Sequence, residues 1–436
     1  MMDFILNFKQ IFIFLIFLII NNSFSNCDPV VELIKAAGYP VEVHYVYTSD
    51  GFKLRLHRIP KGVKKLNYEI DLGSDENSKI PYRNETEDDE PIFLMHGLLC
   101  ASGMWIAEST DKSLGFMLAD AGYDVWMLSA RGTTLSSSHK TLDSDSQKYW
   151  DFSFHEIGYY DVPAGIKYVL QKTRKNKVRY VGHSQGCTVF GVALTMHPEL
   201  NRKISSAYLM TPAIYLHHMS SMVKAIVGNE REIQEIANMM RIYGIQIKSP
   251  ISSRLSDYLC QQASNGLCSD MLFRIIGGDS GQLDKLSFIP MMTKNVVDNI
   301  SVKQLGHFAQ LVHNAKFAMY DHGTLGNYKN YKSNHPPEYD LSKISVPITV
   351  IYGSKDGLVS STDVELFMSK VKNVRRSMKL PWNHLDFIYG KDVDVRVNDY
   401  IIRSIKKDAI VEENLAKGID ICVNSNETQV INICKK

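Results

Sequence analysis

Three things are scarce in this sequence. Net charge is the first: 49 Lys and Arg against 47 Asp and Glu leave +2 over 436 residues. That is no basic surplus of the kind that grips nucleic acid, and no nucleic-acid partner is expected. Long apolar runs are the second. Nothing after Ile20 approaches the roughly 20 apolar residues of a membrane span. Metal-type spacings are the third. Among 7 cysteines and 14 histidines, none has the separations of a zinc site, so no metal site is expected. Apolar residue types are not scarce. At 44% of the chain, they are ample for a large core or a core with a substantial insertion.

The N-terminus has an address. Lys9 precedes the apolar run Ile11 to Ile20, then Asn21-Asn22 and the small residues of Ser23-Phe24-Ser25. This is the pattern of a secretory signal peptide cut near Ser25, giving residues 1–25 as leader. A secretory route makes some cysteines candidates for oxidation. Cys260 and Cys268 flank a short polar loop, and Cys422 and Cys434 bracket the C-terminal tail, so each pair suits a local bridge. Cys27, Cys100 and Cys187 are left over, the last two in apolar surroundings. Asn84, Asn299 and Asn426 each open an Asn-x-Ser/Thr sequon and are expected to be glycosylated surface positions.

The chemistry centres on Gly182-His183-Ser184-Gln185-Gly186. A strand-like stretch, Lys177 to Val181, precedes it, and an apolar helical stretch, Cys187 to Met196, follows. Gly-x-Ser-x-Gly between a strand and a helix is the nucleophile elbow of an α/β-hydrolase fold. The glycines let strand and helix approach, and the turn holds the serine hydroxyl beside a helix N-terminus.

The rest of the chain fits that frame. Val41 to Pro60 alternates as two strands turning at Ser49-Asp50-Gly51. Buried strands are expected at Pro91 to Met95 and Val346 to Tyr352, further strands at Tyr123 to Leu128 and Ser206 to Met210, and a short one at Arg376 to Leu380. Helices are expected at Val30 to Gly38, Ser113 to Ala121 and Asp161 to Thr173. Alternation of this kind predicts a mostly parallel central sheet flanked by helices. Residues 61–90 are charged and dense with acid, an expected surface insertion. Pro212 to Lys329 breaks the rhythm and is rich in helix formers and methionine, and is expected to form a mainly helical cap over the serine. Within it, Tyr215, Met219, Met222, Val223 and Ile226 are spaced for one apolar helical stripe, either facing lipid or forming the cap's own core. The core thus comprises residues 26–211 and 330–406, the cap 212–329 and a tail 407–436.

A serine hydroxyl needs a base within hydrogen-bond reach and a third group to orient that base. In this fold they follow in the order acid, then histidine. Asp356 stands just beyond the strand at Val346 to Tyr352, and His384 follows the next strand. Asp386 is a rival acid, but two residues from His384 it is badly placed for the same ring. His183 is expected to position rather than to act as base. Backbone N–H groups of Gln185 and Leu98 are expected to hold an oxyanion.

These residues resemble the acid lipase family, which includes gastric lipase, lysosomal acid lipase and related insect lipases. The likeness is carried by His96-Gly97-Leu98-Leu99, Leu118 to Trp126, Ser129-Ala130-Arg131-Gly132, Tyr149 to Phe154, Tyr160 to Ala164, Tyr180 to Gly186 and Asn383 to Phe387. It spans roughly Asp28 to Lys406. The resemblance implies a secreted or lysosomal hydrolase of neutral lipid esters, with Ser184, Asp356 and His384 as nucleophile, acid and base. It places the oxyanion donors on Leu98 and Gln185 and the cap disulfide on Cys260 and Cys268. It implies a lipid surface as partner, and neither cofactor nor obligate protein partner. The chain departs from the family's usual pattern in its longer acidic insertion, its added tail and Thr133-Thr134, where Asn-Thr is usual.

Overall fold

The computed structural model describes residues 28–64, 91–220, 239–245, 267–284 and 296–416, a few positions between 224 and 292, and the paired strands 69–71 with 79–81 and 421–423 with 431–433. The expected leader, Cys27, Asn84, Cys260, Asn426 and Cys434 lie outside the described residues.

Helix α1 (Pro29–Ala36) opens with Pro29 in its first turn and the Asp28 carboxylate accepting the Val30 N–H. Strands β1 (Glu42–Tyr47) and β2 (Phe52–Ile59) form the expected hairpin. Then come β3 (Ile92–Met95), α2 (Leu114–Asp120), β4 (Val125–Ser129), α3 (Val162–Thr173), β5 (Val178–His183), α4 (Gln185–Met196) and β6 (Ile204–Met210). After them the chain forms α5 (Leu267–Ile276), α6 (Val302–Asn314) and α7 (Gly323–Tyr331). It returns through β7 (Ile348–Gly353), α8 (Ser361–Lys370), β8 (Val374–Leu380) and α9 (Asp399–Ala416).

The main sheet runs β1-β2-β4-β3-β5-β6-β7-β8. β2 pairs antiparallel with β1 and β4, and every later pairing is parallel. Period-two alternation divides the strand side chains between two cores. Phe93, Met95, Trp126, Leu128, Tyr180 and Leu209 point to one face with Ile166 of α3 and Val189 of α4. Ile92, Leu94, Val125, Met127, Val181 and Met210 point to the other with Ile34 of α1, Leu118 of α2 and Ile401 of α9. Burial on both faces is why β3 and β4 read as near-continuous apolar runs.

Three elements differ from expectation. The helix expected from Asp161 begins earlier, at Phe154, and runs through a wider-turned stretch Ile157–Asp161 into α3. Its start is fixed by a capping box: the Ser153 hydroxyl accepts the His155 N–H, and Glu156 accepts the Ser153 N–H at 2.7 Å. The start of the expected apolar stripe is not helical: Tyr215 lies in irregular chain and Met219 in a bend. Amides there are taken by the core: His218 N–H donates to Asp363 and Ser220 N–H to the Gly357 carbonyl. Met219 is buried in the main core, while Met222, Val223 and Ile226 lie outside the described residues. Last, α9 does not stop at the expected core boundary at Lys406. Asp408, two residues on, is buried and accepts from Tyr208 and Arg376 at 2.7 and 2.9 Å.

Among the described residues no helix is long and apolar enough to cross a membrane.

Candidate active site

The C-terminal ends of β3, β5, β7 and β8 bring four loops together. At the end of β5, Ser184 has φ 54° and ψ −116°. That is a strained conformation for a residue with a side chain, and it persists only where the surroundings impose it. The turn that imposes it is tight. A Cβ on Gly186 would lie 2.2 Å from the Met95 carbonyl oxygen, so the start of α4 presses directly on the end of β3. One on Gly97 would lie 3.3 Å from Ser184 Cβ, which puts the loop after β3 over the serine.

His384, from the loop after β8, has Nε2 at 2.9 Å from Ser184 Oγ and Nδ1 at 2.8 Å from Asp356 Oδ2. A carboxylate can only accept, so Nδ1 bears the proton and Nε2 is left to accept from the serine hydroxyl. The other Asp356 oxygen accepts the N–H groups of Leu358 and Val359 at 2.9 and 2.8 Å. Both side chains are almost wholly buried. The arrangement can draw a proton from Ser184 onto His384 beside a fixed negative charge.

The rivals fall elsewhere. Asp386 accepts the Asn383 N–H at 2.6 Å and so shapes the histidine loop from within. Burial, with Asp356 and Asp279 adding to it, raises the Asp386 carboxyl to about 6 against the pull of Ser280 and the Asn383 amide. His183 turns its ring towards His384 and donates Nε2–H to the His384 carbonyl at 3.1 Å. Burial and the neighbouring His384 lower it to about 3, so it stays neutral.

Sequence similarity decides the family. Residues 30–109 match the family described as partial alpha/beta-hydrolase lipase region, and residues 90–235 match the alpha/beta hydrolase fold. Lipase 3 of Drosophila melanogaster is 37% identical over 391 residues, covering 88% of this chain and 93% of that protein. Lysosomal acid lipase/cholesteryl ester hydrolase of Rattus norvegicus is 33% identical over 382 residues, covering 87% and 91%. The chain belongs to the acid lipase family. Gastric triacylglycerol lipase of Homo sapiens is likewise 33% identical, over 383 residues covering 86% and 90%.

In this acid lipase family member the segment between β6 and β7 reaches the site through contacts that mostly have no signature in the sequence. The Ile276 carbonyl, at the end of α5, accepts the N–H groups of Gly357 and His384. Gln304 of α6 donates its side-chain amide to that of Gln185, directly after the serine. Asp298 N–H donates to the Leu99 carbonyl at 2.8 Å. Only the Ser301 hydroxyl, which caps α6 by accepting the Lys303 N–H and donates to the Trp150 carbonyl, had a local signal as a helix N-cap.

Of the remaining expected sites, Asn299 is half-buried, beside Thr134. Cys268 lies in α5 with its side chain outside the described residues. Cys187 is a buried thiol that donates to the carbonyls of Gly182 and Met210, and burial pushes it up. Among the described residues, no group of three or more His, Cys, Asp or Glu is arranged to hold a metal ion.

Proposed function

We propose that this acid lipase family member hydrolyses carboxylic esters of neutral lipids, triacylglycerols foremost and sterol esters beside them, through an acyl-enzyme on Ser184. One observation carries the reading: the unbroken chain from Ser184 Oγ to His384 to Asp356, at 2.9 and 2.8 Å, with the serine on a strained elbow. Ser184 Oγ attacks the ester carbonyl carbon while its proton passes to His384 Nε2. The carbonyl oxygen becomes an oxyanion, facing the N–H groups of Leu98 and Gln185 and the positive end of α4. Collapse breaks the bond to the alcohol, which leaves with the proton from His384. Water then gives a proton to His384 and attacks the acyl-enzyme, and the fatty acid departs as Ser184 recovers its proton. Asp356 holds the ring in its tautomer and offsets the imidazolium charge.

The names of the relatives support neutral lipids as substrate: one is a cholesteryl ester hydrolase and another a triacylglycerol lipase. A secretory leader at 1–25, a lysosomal or extracellular destination, glycans on Asn84, Asn299 and Asn426 and a Cys260–Cys268 bridge belong to the same reading. The test is covalent labelling by an alkyl phosphonate ester, read by peptide mapping, alongside hydrolysis of a triglyceride emulsion and of cholesteryl ester. Labelling on Ser184 and turnover of either lipid are expected. An unlabelled Ser184 with no turnover would defeat the proposal.

A further inference from the structure

The loop after β3 sits in a closed ring of hydrogen bonds that the cap completes. His96 is buried; its Nε2 accepts the Ala130 N–H at 3.0 Å. The ring proton is therefore on Nδ1, which donates to the Gly97 carbonyl at 2.8 Å. That carbonyl shares a rigid peptide plane with the Leu98 N–H, and in a trans peptide the two point in opposite directions. Pinning the oxygen on His96 fixes where the Leu98 N–H is aimed.

The far side of Leu98 is tied as well. Leu99 has φ 60°, a left-handed conformation that a leucine keeps only under constraint. Its carbonyl accepts the Asp298 N–H, and Cys100 bridges to Val297 in the antiparallel sense. Asp298 is buried, and its Oδ1 gathers Thr134 N–H at 2.7 Å, the Thr134 hydroxyl at 2.8 Å and its own neighbour's Asn299 N–H at 2.7 Å. Charge-assisted bonds of this kind are the strong ones. Thr133, at a position where the chain departs from the family's usual asparagine, donates its hydroxyl to the Ala130 carbonyl at 2.7 Å. Ala130 N–H leads back to His96, and the ring is closed.

We propose that His96 and Asp298 are positioning residues for the Leu98 amide, so that the cap segment 297–299 completes the oxyanion hole. The proposal rests on the hydrolase reading above and on Leu98 as an oxyanion donor. Neither side chain needs to touch substrate. Each acts through a carbonyl or a backbone segment next to the donor, so its loss should weaken the transition state and leave ground-state binding alone.

The experiment compares wild type with Asp298→Ala, Asp298→Asn and His96→Phe on a short soluble ester. Asp298→Ala and His96→Phe should lose about tenfold or more in kcat with KM little changed. An alkyl boronic acid, whose serine adduct places an oxygen anion in the hole, should lose affinity by a similar factor. An uncharged alkyl ether of the same length should bind as before. Asp298→Asn keeps an Oδ1 acceptor and should recover part of the loss. Where Asp298→Ala fails to fold, Thr134→Val removes one donor from an exposed position and should give the same split, smaller. Full kcat in the variants, or equal loss of boronate and ether affinity, overturns the proposal. A wild type that labels normally on Ser184 beside fully active variants fails this proposal alone. A wild type that takes no phosphonate on Ser184 fails both.

Discussion

Asp356 and His384 meet side chain to side chain at 2.8 Å, and the Ile276 carbonyl also joins their loops by accepting Gly357 N–H at 3.0 Å and His384 N–H at 3.2 Å. The two loops are thus registered by a residue of the segment between β6 and β7 as well as by the sheet.

Gly277 makes that contact possible. It has φ 120°, and a Cβ there would lie 1.8 Å from the Lys355 carbonyl oxygen. Gly277→Ala should therefore cost at least about 1 kcal/mol in stability and push the Asp356 loop away from His384. Thermal melts and kcat on a soluble ester should both fall. If neither changes, the close approach is not required.

The acid assignment separates two carboxylates. Ser184→Ala should abolish turnover and leave the fold intact. Asp356→Asn should lower kcat by roughly 10⁴-fold, the scale of losing the group that sets the histidine tautomer. Asp386→Asn should keep most activity, because its carboxylate bonds to the Asn383 amide and not to the ring. Steady-state rates of the three variants decide this, and full activity in Asp356→Asn would reverse the assignment.

Asp386 also predicts a pH dependence of stability. Burial raises its carboxyl to about 6 in the folded protein, against about 4 for an unfolded aspartate. The folded state holds the proton more tightly, so this group's contribution is fully present below about pH 4 and is lost as pH rises through about 6. The loss is on the order of 3 kcal/mol. Asp386→Asn does not titrate. Its melting temperature should match wild type near pH 4 and exceed it near pH 7. A difference that does not vary with pH would mean the wild-type carboxyl is not raised.

Met219 belongs to the core and not to a lipid-facing stripe. Met219→Glu buries a charge among apolar side chains and should cost about 3 kcal/mol or more. Met219→Leu, similar in volume, should cost less than about 1.5 kcal/mol. In the glutamate variant, activity on a soluble ester and on emulsified triglyceride should fall together with the melting temperature. Selective loss on the emulsion would return Met219 to the lipid-binding surface.

The parts legible in the sequence are those fixed by local chemistry or chain order. β3, β4 and most of β7 read as apolar runs because both faces are covered. That Ser184, Asp356 and His384 come together is legible because the fold dictates their order and the strands before the last two can be counted. The start of the helix at Phe154 was missed although Ser153 and Glu156 carry a capping-box spacing. Its apolar periodicity is clear only after Asp161. The stripe from Tyr215 misled because spacing says nothing about where amides donate, and there Asp363 and Gly357 take them. Asp298, Gln304 and the Ile276 carbonyl were illegible for a related reason: each matters only through a partner far away in sequence.

The ties at Ile276 and at Asp298 to Gln304 also bear on how such proteins can be recombined. In sequence the segment expected to form the cap is one insertion between β6 and β7, and a graft would naturally be cut at its ends. By its hydrogen bonds, its two inner flanks belong to the core: one holds the acid and base loops, the other the loops carrying Leu98 and Gln185. A cap exchanged with a relative should keep activity only when residues 276–278 and 297–304 stay with the recipient. A cut outside those flanks would carry their hydrogen bonds to the loops of Ser184, Asp356 and His384 away with the exchanged segment.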